Sequence, residues 1–327
     1  MPVVVLCLSF CILGLFVCHL STGVFSINLV DYFTNRVSPQ DIAIVNNIRI
    51  PRALCAILVG SALAVAGALL QGTFKNPLAS TGIIGTDSGA MLGAILAMFL
   101  GITSQSAISG FAFGIASLIT FIVYFLSFNF HSKRSDLISM LLIGVAITAL
   151  CSGISSIFLT ISLGDWDIGK RMILWGFGSL EHSTWGQIKI LAPTIILCLL
   201  STLVFMKDLN LLNLGDETAQ TLGVNIERSR FLIIILSSLL AGVVVSIAGM
   251  IGFVGLVCPH IVRLIFGNNY LKLIPLSALI GAIFLLASDI IIIHIKSQFN
   301  IDIKIGILTS LIGVPFFISL ILKRKYA

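Results

Sequence analysis

The chain has 327 residues, 58% of them hydrophobic and only 10% charged, with a mean hydropathy of +1.13. Soluble domains are about half apolar and a quarter charged, so a water-soluble fold is excluded. The formal charge of +6 is scattered through short stretches between apolar runs and forms no continuous basic face, which excludes nucleic acid as a partner.

Crossing a hydrocarbon layer about 30 Å thick takes about 20 apolar residues at 1.5 Å rise per residue. Apolar runs lie near 3–22, 53–72, 83–101, 106–128, 137–160, 187–206, 231–250, 258–267, 273–295 and 305–322. They predict an all-α polytopic membrane protein of about ten transmembrane helices, a single domain over 1–327 with no room for a sizeable soluble one. The first run lacks a basic n-region and a cleavage site and is read as a span, not a signal peptide. The run at 258–267 is too short to cross alone. Gly249, Gly252 and Gly255 ahead of it predict irregular backbone at membrane depth, tolerated only when buried in protein or lining a cavity.

Ten crossings put both termini on one side, and Lys323, Arg324 and Lys325 make that side cytoplasmic by the positive-inside rule. Lys75, Lys133, Arg134, Lys207, Arg228, Arg230 and Lys272 then lie inside. Arg36, Arg49, Arg52, Lys170, Arg171, Lys189, Lys296 and Lys304 lie outside, so the bias is modest. Two polar segments, 162–186 and 207–230, fall on opposite faces.

Gly60, Ala64, Ala68 and Gly72 recur every four residues in the second span and form a small-residue stripe on which another helix can pack closely. The ionisable residues inside apolar runs, Asp87, His260, Arg263, Asp289 and His294, sit mostly near span ends, where snorkelling or capping accounts for them. That argues against an ion-coupled carrier. The sequence has no HExxH, no Gly-x-Ser-x-Gly and no phosphate-cradling loop, so no catalytic, metal or cofactor site is expected and any ATPase must be a separate chain. The seven cysteines lack a CxxC pair and read as small packing residues.

Residues 211–223 break at Gly215, place Asp216 and Glu217 at a helix start and stop at Gly223. A short helix that docks a cytosolic partner and a solvated loop both fit. Arg49-Ile50-Pro51-Arg52 opens the second span with Pro51 in its first turn. The two arginines are either snorkelling or fixed cations for carboxylates on an external protein.

Four blocks in order resemble the FecCD-type permeases of binding-protein-dependent ABC importers. They are Arg49–Leu96 with its NPLA turn at Asn76, Pro77, Leu78 and Ala79; LNLLNLGDETAQTLGV; GFVGL-x-x-PH-x-x-R with Gly252, Gly255, Pro259, His260 and Arg263; and Ile305–Phe317. The resemblance covers nearly the whole chain. It implies ten helices per subunit in a bacterial cell membrane, and two subunits, identical or homologous, around a central path. It assigns 208–228, with Gly215, Asp216, Glu217, Ala219 and Gly223, to coupling helices on a cytosolic ATPase dimer that holds the ATP. Arg49 and Arg52 match arginines that meet glutamates of an extracytoplasmic substrate-binding protein. Ile293 stands where many relatives carry a further arginine, with Lys296 as its substitute. Asp136, Leu137, Ile138 and Ser139 match the cytoplasmic end of a path-lining, gating span. Ser80-Thr81 replaces the usual acid after NPLA, and Lys304 the usual proline before the last span. The implied function is import of ferric siderophore-type chelates, with haem or cobalamin as alternative cargo and no cofactor on this chain.

Overall fold

In hydrocarbon every backbone polar group must find a partner within the protein, and a helix achieves this inside one segment. The computed structural model describes residues 1–23, 31, 32, 34, 38–129 and 134–326, and there the apolar runs are helices. In chain order these are α1 (Pro2–Ser21), α2 (Pro39–Ile44), α3 (Ile50–Thr73), α4 (Thr86–Phe99), α5 (Gln105–Ser127), α6 (Leu137–Ser162) and α7 (Trp166–Gly176). There follow α8 (Trp185–Asn213), α9 (Asp216–Thr221), α10 (Ile226–Ala248), α11 (Val254–Phe266), α12 (Tyr270–Phe299) and α13 (Ile305–Tyr326). A π-helical turn, Val45–Arg49, joins α2 to α3, and a two-residue antiparallel pair, Phe128–Asn129 with Arg134–Ser135, leads into α6.

Seven helical runs are long and apolar enough to cross a membrane, and Thr86–Phe99, Val254–Phe266 and Ile305–Ser319 are shorter apolar helices. All ten coincide with the expected spans. Two of the three short ones have a physical cause. The turns of 76–85 occupy the start of the third run, and Gly249 (φ +70°) and Phe253 (φ +67°) break the chain ahead of α11, the irregular backbone expected there.

The polar segments differ from expectation. Residues 207–213 continue α8, and 162–186 holds α7, whose N-terminus is capped by the Asp165 side chain accepting from the amides of Asp167 and Ile168. Ile168, Met172 and Trp175 pack inward on one face of α7 and explain a helix that charge content concealed. Of the residues placed inside and outside by charge, Lys133 and Arg36 lie outside the described residues.

Helix α3 is the centre of the bundle, buried over most of its length against α8, α10, α11 and α12. Its small residues allow this. A Cβ at Gly60 would run into the Gly281 carbonyl on α12, and one at Gly67 into the Gly255 carbonyl on α11. Helices α1 and α6, by contrast, bury little of their surface within the chain.

Candidate functional site

The antiparallel crossing of α3 and α12 at Gly60 and Gly281 fixes what meets at one end of the bundle. Arg52 and Asp289 each lie eight residues from that crossing and come level. Arg52 Nε and a terminal nitrogen donate to the two Asp289 carboxylate oxygens, both at 2.8 Å, and His19 Nε2 lies 2.8 Å from Oδ2. Asp289 is 1% exposed. Arg49 is also buried and donates to the Leu20 carbonyl at 2.6 Å. Both guanidiniums are engaged within the chain, Arg52 by a buried carboxylate and Arg49 by a helix-end carbonyl, each of which needs a donor.

At the same end, Lys296 and Lys304 reach Glu181 Oε1 and Oε2, both at 2.6 Å, and Lys304 reaches Asp302 at 2.9 Å. Burial pushes the Glu181 carboxyl up, but the hydrogen bonds and charges of Lys296 and Lys304 outweigh it and hold the group down at about 2. For Lys304, burial lowers the pKa and the bonds to Asp302 and Glu181 raise it further, so the net direction is up. The role of Glu181 escaped the sequence reading because its partners lie 115 and 123 positions away and leave no local spacing.

The opposite end carries the expected coupling segment. Gly215, at φ +117° and ψ 152°, adopts a conformation open essentially to glycine alone and turns the chain into α9. Ala219 is buried against Leu212 and Val224, and Gly223 (φ +89°) ends the helix. Glu217, Leu214 and Leu222 stay exposed. Asp216 binds Lys75 at 3.0 Å and Arg230 at 2.7 Å, which ties α9 to the end of α3 and the base of α10. Burial raises the Asp216 carboxyl, yet the bonds from Lys75 and Arg230 prevail and hold it below the usual carboxylate range. Ser229 donates to Asp208, closing a second link from α10 to α8.

Behind this segment the residues matched to the family signature converge on Gln71, which sequence reasoning missed. Arg263 donates to Gln71 Oε1 at 2.8 Å, and Gln71 Nε2 donates to the Gly255 carbonyl at 3.1 Å. The Asn76 side chain accepts from the Leu78 amide, shaping the turn that includes Pro77. Pro259 is buried in α11, and the His260 ring faces Phe316 and Phe317 at 6.4 and 6.3 Å. Asp136 caps α6, accepting from the Ile138 amide and Ser139 Oγ, and the Ser139 bond leads in holding its carboxyl low. Leu137 packs beside Met140 while Ile138 is exposed.

A cavity of about 700 Å³ opens beside α7 and α13, lined by Phe177, Met250, Gly252, Ser310, Leu311 and the carboxylate residue Asp87. Apart from Asp87 and Ser310, the lining side chains among the described residues are apolar. Among the described residues no His, Cys, Asp and Glu cluster could hold a metal ion.

The model of the FecCD transport family matches residues 9–323. The chain belongs to the FecCD transport family. A haemin transport system permease of Yersinia pestis is 38% identical over 284 residues, covering 85% of this chain and 83% of that one. An Fe(3+)-citrate import system permease of Bacillus subtilis is 34% identical over 310 residues, covering 94% and 90%. An inward-facing structure of a metal-chelate type ABC transporter superposes with a TM-score of 0.89 at 32% identity, covering 99% of this chain and all of the other. This FecCD chain is accordingly the permease subunit of an ABC importer and a multi-pass protein of the cell membrane. FecCD permeases work as dimers with a substrate-binding protein, and the ATPase is a separate chain.

Proposed function

We propose that this permease imports ferric siderophore-type chelates by alternating access, in one membrane domain whose two termini are cytoplasmic. The observation that carries the mechanism is the Lys75–Asp216–Arg230 junction. A push on α9 at its exposed Glu217 and Leu222 reaches α3, the most buried helix, and α10 through two charge-assisted bonds. ATP binding draws the two ATPases together beneath this surface, and the bundle shifts between inward- and outward-open states. Coupling follows because the ATPase and the binding protein each hold the two states with different affinity.

The loaded binding protein docks on the end that carries Arg49, Arg52 and Lys296. With both arginines engaged in the chain, a docking glutamate would meet them as members of existing networks and share their donors. Asp136 through Ser139 hold the cytoplasmic end of α6, where the Asp136 cap fixes the first turn of a gate.

An iron cargo is supported by the names of the haemin and ferric-citrate permeases and of the metal-chelate transporter, and by a cavity whose weakly polar walls suit a bulky chelate. Haem or cobalamin is the alternative cargo. The test is uptake of radioactive iron as a ferric trihydroxamate, as ferric citrate and as haem in proteoliposomes holding this chain, its ATPase and its binding protein. ATP-dependent uptake of the trihydroxamate supports the reading. Uptake that ignores ATP and follows an imposed proton gradient replaces it with an ion-coupled carrier.

A further inference from the structure

Helices α5 and α8 both pack on α10, and at the end of the bundle that carries Arg52 and Glu181 they leave a groove of about 1150 Å³ between them. Val243 and Ile247 of α10 form its floor, with Phe113 on one side and Ile190 on the other. Gly110 keeps it open, since a Cβ there would meet nothing within 4 Å. Trp185, exposed in the first turn of α8, sets the mouth at the height of the membrane boundary, where tryptophan is enriched. Phe111, Ile190 and Leu197 are exposed on the outer faces of the two helices, so the groove opens toward lipid.

Its polar groups are sorted along its length. Beyond the mouth, the hydroxyls of Ser109, Thr194 and Ser246 all donate to backbone carbonyls, which leaves an apolar lining. At the mouth, Gln105 and His182 make no side-chain hydrogen bond among the described residues, and Gln187 uses only its oxygen, which accepts from the Thr184 amide. A smaller cavity of about 230 Å³ shares Gln105, His182 and Ile247 with the groove and adds Arg171 and Lys304. Lys304 is matched by Glu181 and Asp302, whereas Arg171 is exposed and forms no ion pair among the described residues. Among the described residues no Asp or Glu lines either cavity. A groove that is apolar along the helices, rich in free donors at the boundary and cationic beside it fits an amphiphile with an anionic head.

We propose that the groove between α5 and α8 binds an anionic phospholipid, with its phosphate at Gln105, His182 and Arg171 and an acyl chain against Gly110, Phe113 and Ile190. The guanidinium supplies paired donors to phosphate oxygens. A zwitterionic headgroup would bring an ammonium for which neither cavity offers a carboxylate. The groove shares no lining residue with the cavity beside α7 and α13, so the site is independent of the cargo.

The test uses the permease–ATPase complex in detergent, titrated with dioleoyl phosphatidylglycerol or dioleoyl phosphatidylcholine and read by native mass spectrometry. Wild type is expected to bind one phosphatidylglycerol per permease chain about tenfold more tightly than phosphatidylcholine, equivalent to about 1.4 kcal/mol. Gly110→Leu, which fills open space, should lose the tight site and keep ATPase activity, and Arg171→Gln should bring the two lipids to equal affinity. The wild-type preference needs no variant, so a misfolded mutant does not decide the outcome. Equal affinity for both lipids in wild type marks ordinary surrounding lipid and overturns the proposal, as does tight binding that persists in Gly110→Leu. Displacement of the lipid by millimolar inorganic phosphate would reveal a free-anion site and also overturn it. With Cys7, Cys11 and Cys18 replaced, Gly110→Cys should be shielded from maleimide by phosphatidylglycerol. Shielding only by the substrate-binding protein would assign the groove to a protein contact instead.

Discussion

Arg52, Asp289 and His19 join three helices, and removing Arg52 leaves the buried Asp289 carboxylate without its guanidinium. Breaking such a buried pair costs about 3–5 kcal/mol. Arg52→Ala is therefore expected to lower the thermal midpoint sharply in detergent, whereas Lys296→Ala, with a half-exposed partner network, should shift it little. An unchanged midpoint in Arg52→Ala would show that the arginine does not hold the fold. Charge reversal at Arg52 consequently reads stability before it reads docking. Glu181 makes a pH prediction with a definite sign. Its folded pKa of about 2 lies below the ordinary 4.5, so the stabilisation is fully present above about pH 4.5 and is lost as pH falls toward 2. Between pH 7 and pH 5 this cluster should leave stability unchanged. Melting curves of wild type and Glu181→Gln, compared below pH 4.5, check it: the wild type should lose its advantage there.

Helix α9 is only six residues long, and its position is set by its ends. Gly215→Ala forces a side chain into a region that costs about 1–3 kcal/mol, so α9 should dock less rigidly and each imported chelate should consume several-fold more ATP. Asp216→Asn weakens both bonds of the junction and is expected to uncouple in the same direction. If ATP consumed per chelate stays at the wild-type value in both variants, force travels elsewhere. Helix α3 makes the opposite kind of prediction. Gly67→Leu would drive a side chain into the Gly255 backbone and should abolish assembly, read as loss of the monodisperse peak on gel filtration. The stripe of Gly60, Ala64, Ala68 and Gly72 was legible from spacing alone. Its partners on α11 and α12 were not, because which helix fills a small-residue groove depends on long-range packing.

For the whole molecule, orientation is the property that labelling decides. With Cys7, Cys11 and Cys18 replaced, an impermeant maleimide should label Ser106→Cys in intact cells and reach Glu217→Cys only after permeabilisation. The reverse pattern would invert the protein and remove α9 from the ATPase. The number of apolar helices, the irregular backbone before α11 and the short helix after Gly215 were all carried by the sequence, since hydropathy, glycine placement and charge at a helix start act within a few residues. The partners of Arg52, Lys296 and Asp216 and the central place of Gln71 were decided only by the tertiary structure. Several of these join side chains more than a hundred positions apart, up to the 237 between Arg52 and Asp289, and in a uniformly apolar chain no periodicity records which helices become neighbours.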